Sequence, residues 1–277
     1  MNEDLKKKVE HSIERLQKAE RLALLMQPDF GFHLSFSGGK DSQCVLELAK
    51  MAGVKFKAVY NVTTNDPADN VRFIKEHYPE VVFDIPERSF LQEVENNGLP
   101  MMHRRWCCRI YKEDKAKKCV VLTGVRAEES RKRAGYAEFE RSAKRKETRG
   151  PRDLDAMEDN QFQCVKGYDK FVLHPILAWT EVDVWHFIHD RNIPVNPCYT
   201  KGQRVGCIYC CYSDKAKLAY YIKAKPQLYQ AMLHALQKYL DKDPNERTFK
   251  TAEEAFDWWH SKKSVEEYLK HKAKTQQ

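Results

Sequence analysis

Three groups of residues in this 277-residue chain have types and spacings that can do chemistry. The first is Ser37-Gly38-Gly39-Lys40-Asp41-Ser42, which directly follows the apolar run His33–Phe36. Its two glycines let the backbone pass close to phosphate oxygens, and their N–H groups can turn inward as a cradle. A helix opening at Asp41 adds its positive dipole end, and Ser37, Lys40 and Ser42 add hydroxyl and ammonium donors. Asp41 falls in the first helical turn, where a carboxylate caps the helix or approaches a magnesium ion. The spacing differs from the GxxxxGK[ST] of the P-loop. A tight strand-to-helix turn with incidental residues is the plain alternative.

The second group is cysteine. The chain holds nine, and five are clustered as Cys107-Cys108 and as Cys207, Cys210 and Cys211. Met1–Lys8 is charged and lacks an apolar signal core, so a secreted disulfide framework is not expected. Clustered thiols in a reducing compartment point instead to metal or iron–sulfur ligation. Cys107, Cys108, Cys207 and Cys210 make a complete set of soft ligands for a four-iron cluster or for tetrahedral zinc. Cys198 and Cys211 could each replace one of these or stand beside them as spare thiols. Cys44, Cys119 and Cys164 read as small packed hydrophobes.

The third group is Thr123-Gly124-Val125-Arg126-Ala127-Glu128-Glu129-Ser130-Arg131, where two guanidinium forks suit phosphate or sulfate. Surface salt bridges are the alternative for Arg126 and Arg131.

The elements that must position these groups are legible as periodic segments. Leu5, Val9, Ile13, Leu16, Ala19, Leu22 and Ala23 predict a leading amphipathic helix over Glu3–Met26, ended by Pro28. Strands are expected at His33–Phe36, Phe56–Val62, Val81–Ile85 and Val120–Gly124, alternating with helices at Asp41–Met51 and Ala68–Glu76, and ordered structure resumes at Phe171–Pro175 and in the helix Glu181–Ile188. That alternation predicts an α/β fold with a parallel sheet, which binds ligands beyond the carboxyl ends of its strands, where Ser37 and Gly124 fall. Thr180 is the expected N-cap of the Glu181 helix, and Trp179 and Trp185 are expected core anchors. Lys215–Lys242 and Thr251–Lys272 read as helical, which gives a nucleotide-binding domain over 1–214 and a helical C-terminal extension over 215–277.

Composition narrows the setting without deciding it. No apolar run approaches the ~20 residues of a membrane helix, so no membrane partner is expected and the cytoplasm is the default location. Net charge is +8, and Arg126–Arg152 carries ten Lys or Arg against five Glu. Such a stretch suits a nucleic acid or a solvated surface equally.

The six-residue loop resembles the signature of the PP-loop ATP pyrophosphatases, with their adenine nucleotide α-hydrolase-like fold. Thr123–Arg131, His174-Pro175-Ile176 and Trp179-Thr180-Glu181-Val182-Asp183-Val184-Trp185 resemble segments of the phosphoadenylylsulfate (PAPS) reductase family. A CC pair with a distant CxxC is similar to the cluster pattern of adenylylsulfate (APS) reductases. The resemblance implies ATP, or PAPS or APS, held by Ser37, Gly38, Gly39, Lys40, Asp41, Ser42, Gly124 and Arg126. It implies catalytic roles for Lys40, Asp41, Arg126 and Arg131, with Mg²⁺ and a 4Fe–4S cluster in preference to zinc. Related sulfonucleotide reductases carry a nucleophilic cysteine near the C-terminus in an ECGxH-type segment, and no cysteine follows Cys211 here. The features therefore resemble most the ATP pyrophosphatases of DNA phosphorothioation, which adenylate an acceptor oxygen before sulfur enters, with tRNA thiolation as a neighbour. A nucleic acid and a sulfur-donor protein such as a cysteine desulfurase are the implied partners. A sulfate-assimilation reductase and a non-catalytic nucleotide-binding subunit are the alternatives, and a homo-oligomer is left open.

Overall fold

The computed structural model describes residues 1–142, 150–151, 153–155, 170–200, 204–244 and 248–275. The chain forms two compact units, Met1–Asn61 with Ala68–Asp84 and Asp114–Val205, and Val62–Pro67 with Ile85–Glu113 and Gly206–Gln277. The second unit thus takes in two internal segments besides the C-terminal helices.

In the first unit, helix α1 (Glu3–Met26) starts at Asn2, whose side chain accepts the Leu5 N–H. Its buried stripe of Leu5, Val9, Leu16, Ala19, Leu22 and Ala23 packs on helix α2 (Lys40–Ala52), which buries Cys44, Val45, Leu48 and Ala49. The strands are β1 (Phe32–Ser35), β2 (Phe56–Asn61), β3 (Val82–Asp84), β4 (Val120–Leu122), β5 (Phe139–Ser142), β6 (Gly150–Pro151) and β7 (Lys170–Leu173). They lie in the order β3-β2-β1-β4-β7-β5-β6. The first five of that order run parallel, with Leu34 of β1 beside both Ala58 of β2 and Leu122 of β4.

The expectation of a parallel sheet needs one correction. β5, from the basic stretch, pairs antiparallel with β7 and with β6. Phe139 anchors β5 there: it is buried within a polar run and stacks on Phe171 of β7 at 5.4 Å. The rest of that stretch, residues 143–149 and 152, lies outside the described residues, as does Cys164.

In the second unit, the helix Phe90–Asn97 opens with a Ser89–Gln92 capping box. The one-turn helix Trp106–Cys108 runs into a π-turn, Arg109–Glu113. Lys215–Lys242 is two helices, Lys215–Ala224 and Pro226–Asp241, because Pro226 has no N–H to continue the ladder and serves as a first-turn residue. Thr251–Lys272 likewise divides into Ala252–Ser261 and Val265–Thr275 at Lys262, which adopts a left-handed φ of 62°. The core between these helices includes Phe90 stacked on Trp106 at 5.4 Å, with the Trp106 and Trp259 indole N–H groups donating to Gly98 O and Pro100 O. Among the described residues no helix is long and apolar enough to cross a membrane.

Candidate functional site

From β1 the chain steps to β2 and β3 on one side and β4 lies on the other, so strand order reverses between β1 and β4. A crevice opens at such a point beyond the strand ends. Ser37–Ser42 follows β1 there, and Thr123-Gly124 follows β4. The two meet closely: a Cβ on Gly124 would stand 2.8 Å from Asp41 C and 2.9 Å from Ser42 N. Glycine is required at 124 because backbone atoms fill the space a side chain would take. Gly38 is required for another reason, its φ of 74°.

Inside the loop the hydroxyls hold the backbone. Ser37 N–H donates to Ser42 Oγ at 3.1 Å, Gly39 N–H to Ser37 Oγ at 3.3 Å, and Ser42 Oγ–H to Gly39 O at 2.8 Å. Lys40 N–H, the first amide of α2, donates to the Tyr199 hydroxyl at 3.0 Å. Buried amides tie the loop from outside. Asn196 Nδ2 donates to Gly38 O at 2.8 Å and to Asn70 Oδ1 at 2.7 Å, and Asn70 Nδ2 donates to Ser37 O at 3.2 Å.

Charge in the crevice converges on Arg126, whose side chain is 2% exposed. Its Nε donates to Asp41 Oδ1 and its Nη1 to Glu128 Oε2, both at 2.7 Å, and Glu181 Oε2 lies 3.6 Å from Nη2. Burial opposes the guanidinium charge, and the Asp41 and Glu128 bonds more than offset it, so its pKa is raised. Lys40 Nζ bonds Asp41 Oδ2 at 3.0 Å and lies 3.9 Å from Glu181 Oε1. Lys40, Asp41 and Arg126 are therefore brought together, while Arg131 stands exposed on the short helix Arg131–Ala134. Thr180 caps the helix Glu181–Asp190 in a reciprocal box with Asp183, which aims Glu181 from the first turn. Trp179 is buried as expected, whereas Trp185 is half-buried, edge-on to Tyr199 at 5.2 Å. His174 lies beside the crevice with Nδ1 2.6 Å from Thr123 Oγ1; burial, then Arg133, lowers its pKa to about 4.

The thiols form the other candidate. Cys107, Cys108, Cys207, Cys210 and Cys211 all belong to the second unit, and Cys198 to the first. Asn65 holds the CxxC turn: its Oδ1 accepts Tyr209 N–H at 3.0 Å, its O accepts Ile208 N–H at 2.7 Å, and its Nδ2 donates to Tyr209 O at 3.1 Å. Arg105 Nη1 lies 3.7 Å from Cys108 Sγ and Lys112 Nζ 4.0 Å from Cys207 Sγ. Each adjacent pair shares its proton unevenly. The bond from Cys107, with Lys112 and Arg105, lowers the Cys108 pKa, and the bond from Cys211 lowers that of Cys210. Cys107 and Cys211 are raised in consequence, and burial raises Cys207. Among the described residues no three His, Cys, Asp or Glu side chains stand at metal-binding spacing. The donor chemistry, soft sulfur with Arg105 and Lys112 beside two of the thiols, is of the kind an iron–sulfur group takes.

A family model described as the phosphoadenosine phosphosulfate reductase domain matches residues 31–213, which include both candidate sites. The chain belongs to this family. The reductase-domain family's curated relatives include an uncharacterized protein of Methanocaldococcus jannaschii, 26% identical over 223 residues that make up 76% of this chain and 42% of that protein. An adenosine 5'-phosphosulfate reductase of Neisseria meningitidis is 32% identical over 161 residues, 53% of this chain and 56% of that enzyme. The chain spans about half the length of the curated relatives it matches. A phosphoadenylyl-sulfate reductase of Candida auris, solved as a phosphate complex, is 14% identical with a TM-score of 0.46 and covers 73% of this chain and 95% of its own.

Sequence reasoning missed Asn65, Asn70, Asn196, Tyr199 and the acids Glu128 and Glu181 as parts of these sites. Glu128 and Glu181 both stood inside the quoted motifs, but only Glu128 lies beside Arg126 in the sequence. The asparagines and Tyr199 act through partners distant in sequence, and no spacing rule points to them.

Proposed function

We propose that this chain is an ATP-using enzyme that adenylates an oxygen of a larger acceptor and prepares it for sulfur insertion. The observation that carries the reading is the Ser37–Ser42 loop at the strand-order reversal, with Lys40 and Arg126 converging on it. The loop would hold the ATP phosphates, and Lys40 and Arg126 would supply positive charge where the leaving pyrophosphate develops negative charge. The acceptor oxygen attacks the α-phosphorus, the bond to the β-phosphate oxygen breaks, and pyrophosphate leaves with the electron pair. Arg131, exposed on the short helix Arg131–Ala134, would meet the acceptor.

Asp41, Glu128 and Glu181 are hard oxygen donors of the type Mg²⁺ takes, although here they pair with Arg126 and do not stand at metal-binding spacing. When bound, Mg²⁺ would neutralise phosphate charge. Cys107, Cys108, Cys207 and Cys210 would hold a 4Fe–4S cluster, which when bound supplies a fixed charge and a structural staple. The acceptor class supported by the sequence resemblance is nucleic acid, as in DNA phosphorothioation or tRNA thiolation, with sulfur from a donor protein such as a cysteine desulfurase.

Identity with the Neisseria meningitidis enzyme favours a second reading, reduction of a sulfonucleotide. That chemistry needs an accessible thiolate. Outside the four proposed ligands, the described thiols Cys44, Cys119, Cys198 and Cys211 are buried. Incubation of the purified chain with ATP and Mg²⁺ tests the proposal. AMP and pyrophosphate should accumulate, faster with acceptor present, because a positioned oxygen removes much of the entropic barrier. Sulfite release from adenylyl sulfate with thioredoxin would establish the second reading instead, and binding without turnover would leave a regulatory subunit.

A further inference from the structure

The helix amide that a phosphate would seek is already taken. Lys40 N–H donates to the Tyr199 hydroxyl at 3.0 Å, and the preceding amide, Gly39 N–H, is held by Ser37 Oγ. Ser37 belongs to the loop and moves with it. Tyr199 does not: it reaches in from the one-turn helix Pro197–Thr200, some 160 residues along the chain. A Cβ on Gly39 would stand 3.2 Å from the Tyr199 hydroxyl, so the phenol also occupies space directly over the glycine path.

The base of this helix is fixed. Asn196 is fully buried, accepts the Cys198 N–H at 3.0 Å, and donates to Gly38 O and Asn70 Oδ1. The free end is the Tyr199 side chain, which is half-buried and backed by the half-buried Trp185 ring. Rotation of this side chain is therefore the motion that opens the amide while Asn196 keeps the segment in place. A phosphate oxygen is a charged acceptor and outcompetes a neutral phenol for an N–H at a helix N-terminus.

We infer that Tyr199 is a phosphate surrogate, an internal acceptor that occupies the Lys40 amide until a nucleotide phosphate displaces it. The inference rests on the reading that Ser37–Ser42 takes the phosphates. It makes Tyr199 a determinant of ligand choice: nucleosides without phosphate leave the phenol in place, and phosphorylated ones must displace it.

Calorimetric titration of the full chain with ATP and with adenosine, in wild type and Tyr199→Phe, tests this. Removing the hydroxyl removes the competitor, so ATP should bind about fivefold more tightly to Tyr199→Phe, the worth of one neutral hydrogen bond. Adenosine affinity should not change. Trp185 emission should shift on adding ATP to wild type but not adenosine, and Trp185→Phe should abolish that signal. Weaker ATP binding in Tyr199→Phe would make the phenol a direct ligand contact and overturn the inference, as would equal ATP affinities. Failure of wild type to bind ATP at all would sink the loop reading itself, a result distinct from equal affinities.

Discussion

The Ser37–Ser42 loop and the thiol turn are both sharp reversals loaded with chemistry, but they are held in opposite ways. Around the loop, polar groups are answered by the protein's own partners: hydroxyls bond loop amides, Asn196 and Asn70 bond loop carbonyls, and Arg126 faces carboxylates. Around the thiols, Asn65 fixes the backbone, yet adjacent thiols compete for protons and draw in Lys112 and Arg105. A region whose charges are paired is held in place by the protein's own groups.

The strongest way to break this contrast is to remove a thiol. Anaerobically purified protein should carry iron and sulfide near about four each per chain. Cys207→Ser or Cys210→Ser should lose both, with a stability loss on the order of 10 kcal/mol, as for structural metal sites. Colourless wild-type protein with stoichiometric zinc would overturn the cluster assignment.

Acidification should strike the first unit. Burial lowers His33 to about 4, with Lys170 and Lys57 adding to it, and burial with Arg133 does the same to His174. Both are neutral when folded and titrate near pH 6.5 when unfolded, so their stability is whole above 6.5 and lost as pH falls toward 4. Urea melts at pH 7 and 4.5 should differ by about 2–3 kcal/mol per histidine. A His33→Leu, His174→Asn chain that still shows the full loss would refute this source.

Gly124→Val tests the loop more narrowly. Its side chain would meet the Asp41 and Ser42 backbone, an overpacking cost of about 1–3 kcal/mol. ATP affinity should fall about tenfold to a hundredfold by calorimetry, and unchanged affinity would remove the loop from the site.

The smallest effect is expected from Asn196→Ala, which leaves Gly38 O and Asn70 Oδ1 buried without their donor. A loss of about 2 kcal/mol should lower the melting temperature by about 5 °C. No change in melting would mean that the loop needs no outside tie.

The same contrast governs what was legible in the sequence. Helix α1, the loop, β1 to β4 and the Thr180 cap follow from periodicity and local capping, so Glu3–Met26 and Ser37–Ser42 stood out unaided. β5 did not, because one apolar residue, Phe139, anchors it within a polar run and its partner Phe171 is remote. The helix break at Lys262 was equally hidden, since a left-handed lysine leaves no compositional mark. Tyr199, Asn196 and Asn65 act across long sequence separations, and a single sequence carries no record of such pairs.

The interleaving of the second unit sets a timetable for synthesis. The sheet of the first unit is complete once β7 has been made, but the second unit needs Val62–Pro67, Ile85–Glu113 and Gly206–Gln277 together. On the ribosome, Cys107 and Cys108 therefore emerge about 100 residues before Cys207 and wait unpartnered, at elongation rates of roughly 5–20 residues per second, for several seconds. Any four-thiol centre can close only late in translation. Oxygen or a stray metal that reaches the waiting pair first competes directly with assembly, so the yield of intact protein should track the redox state of the cell during synthesis rather than after it.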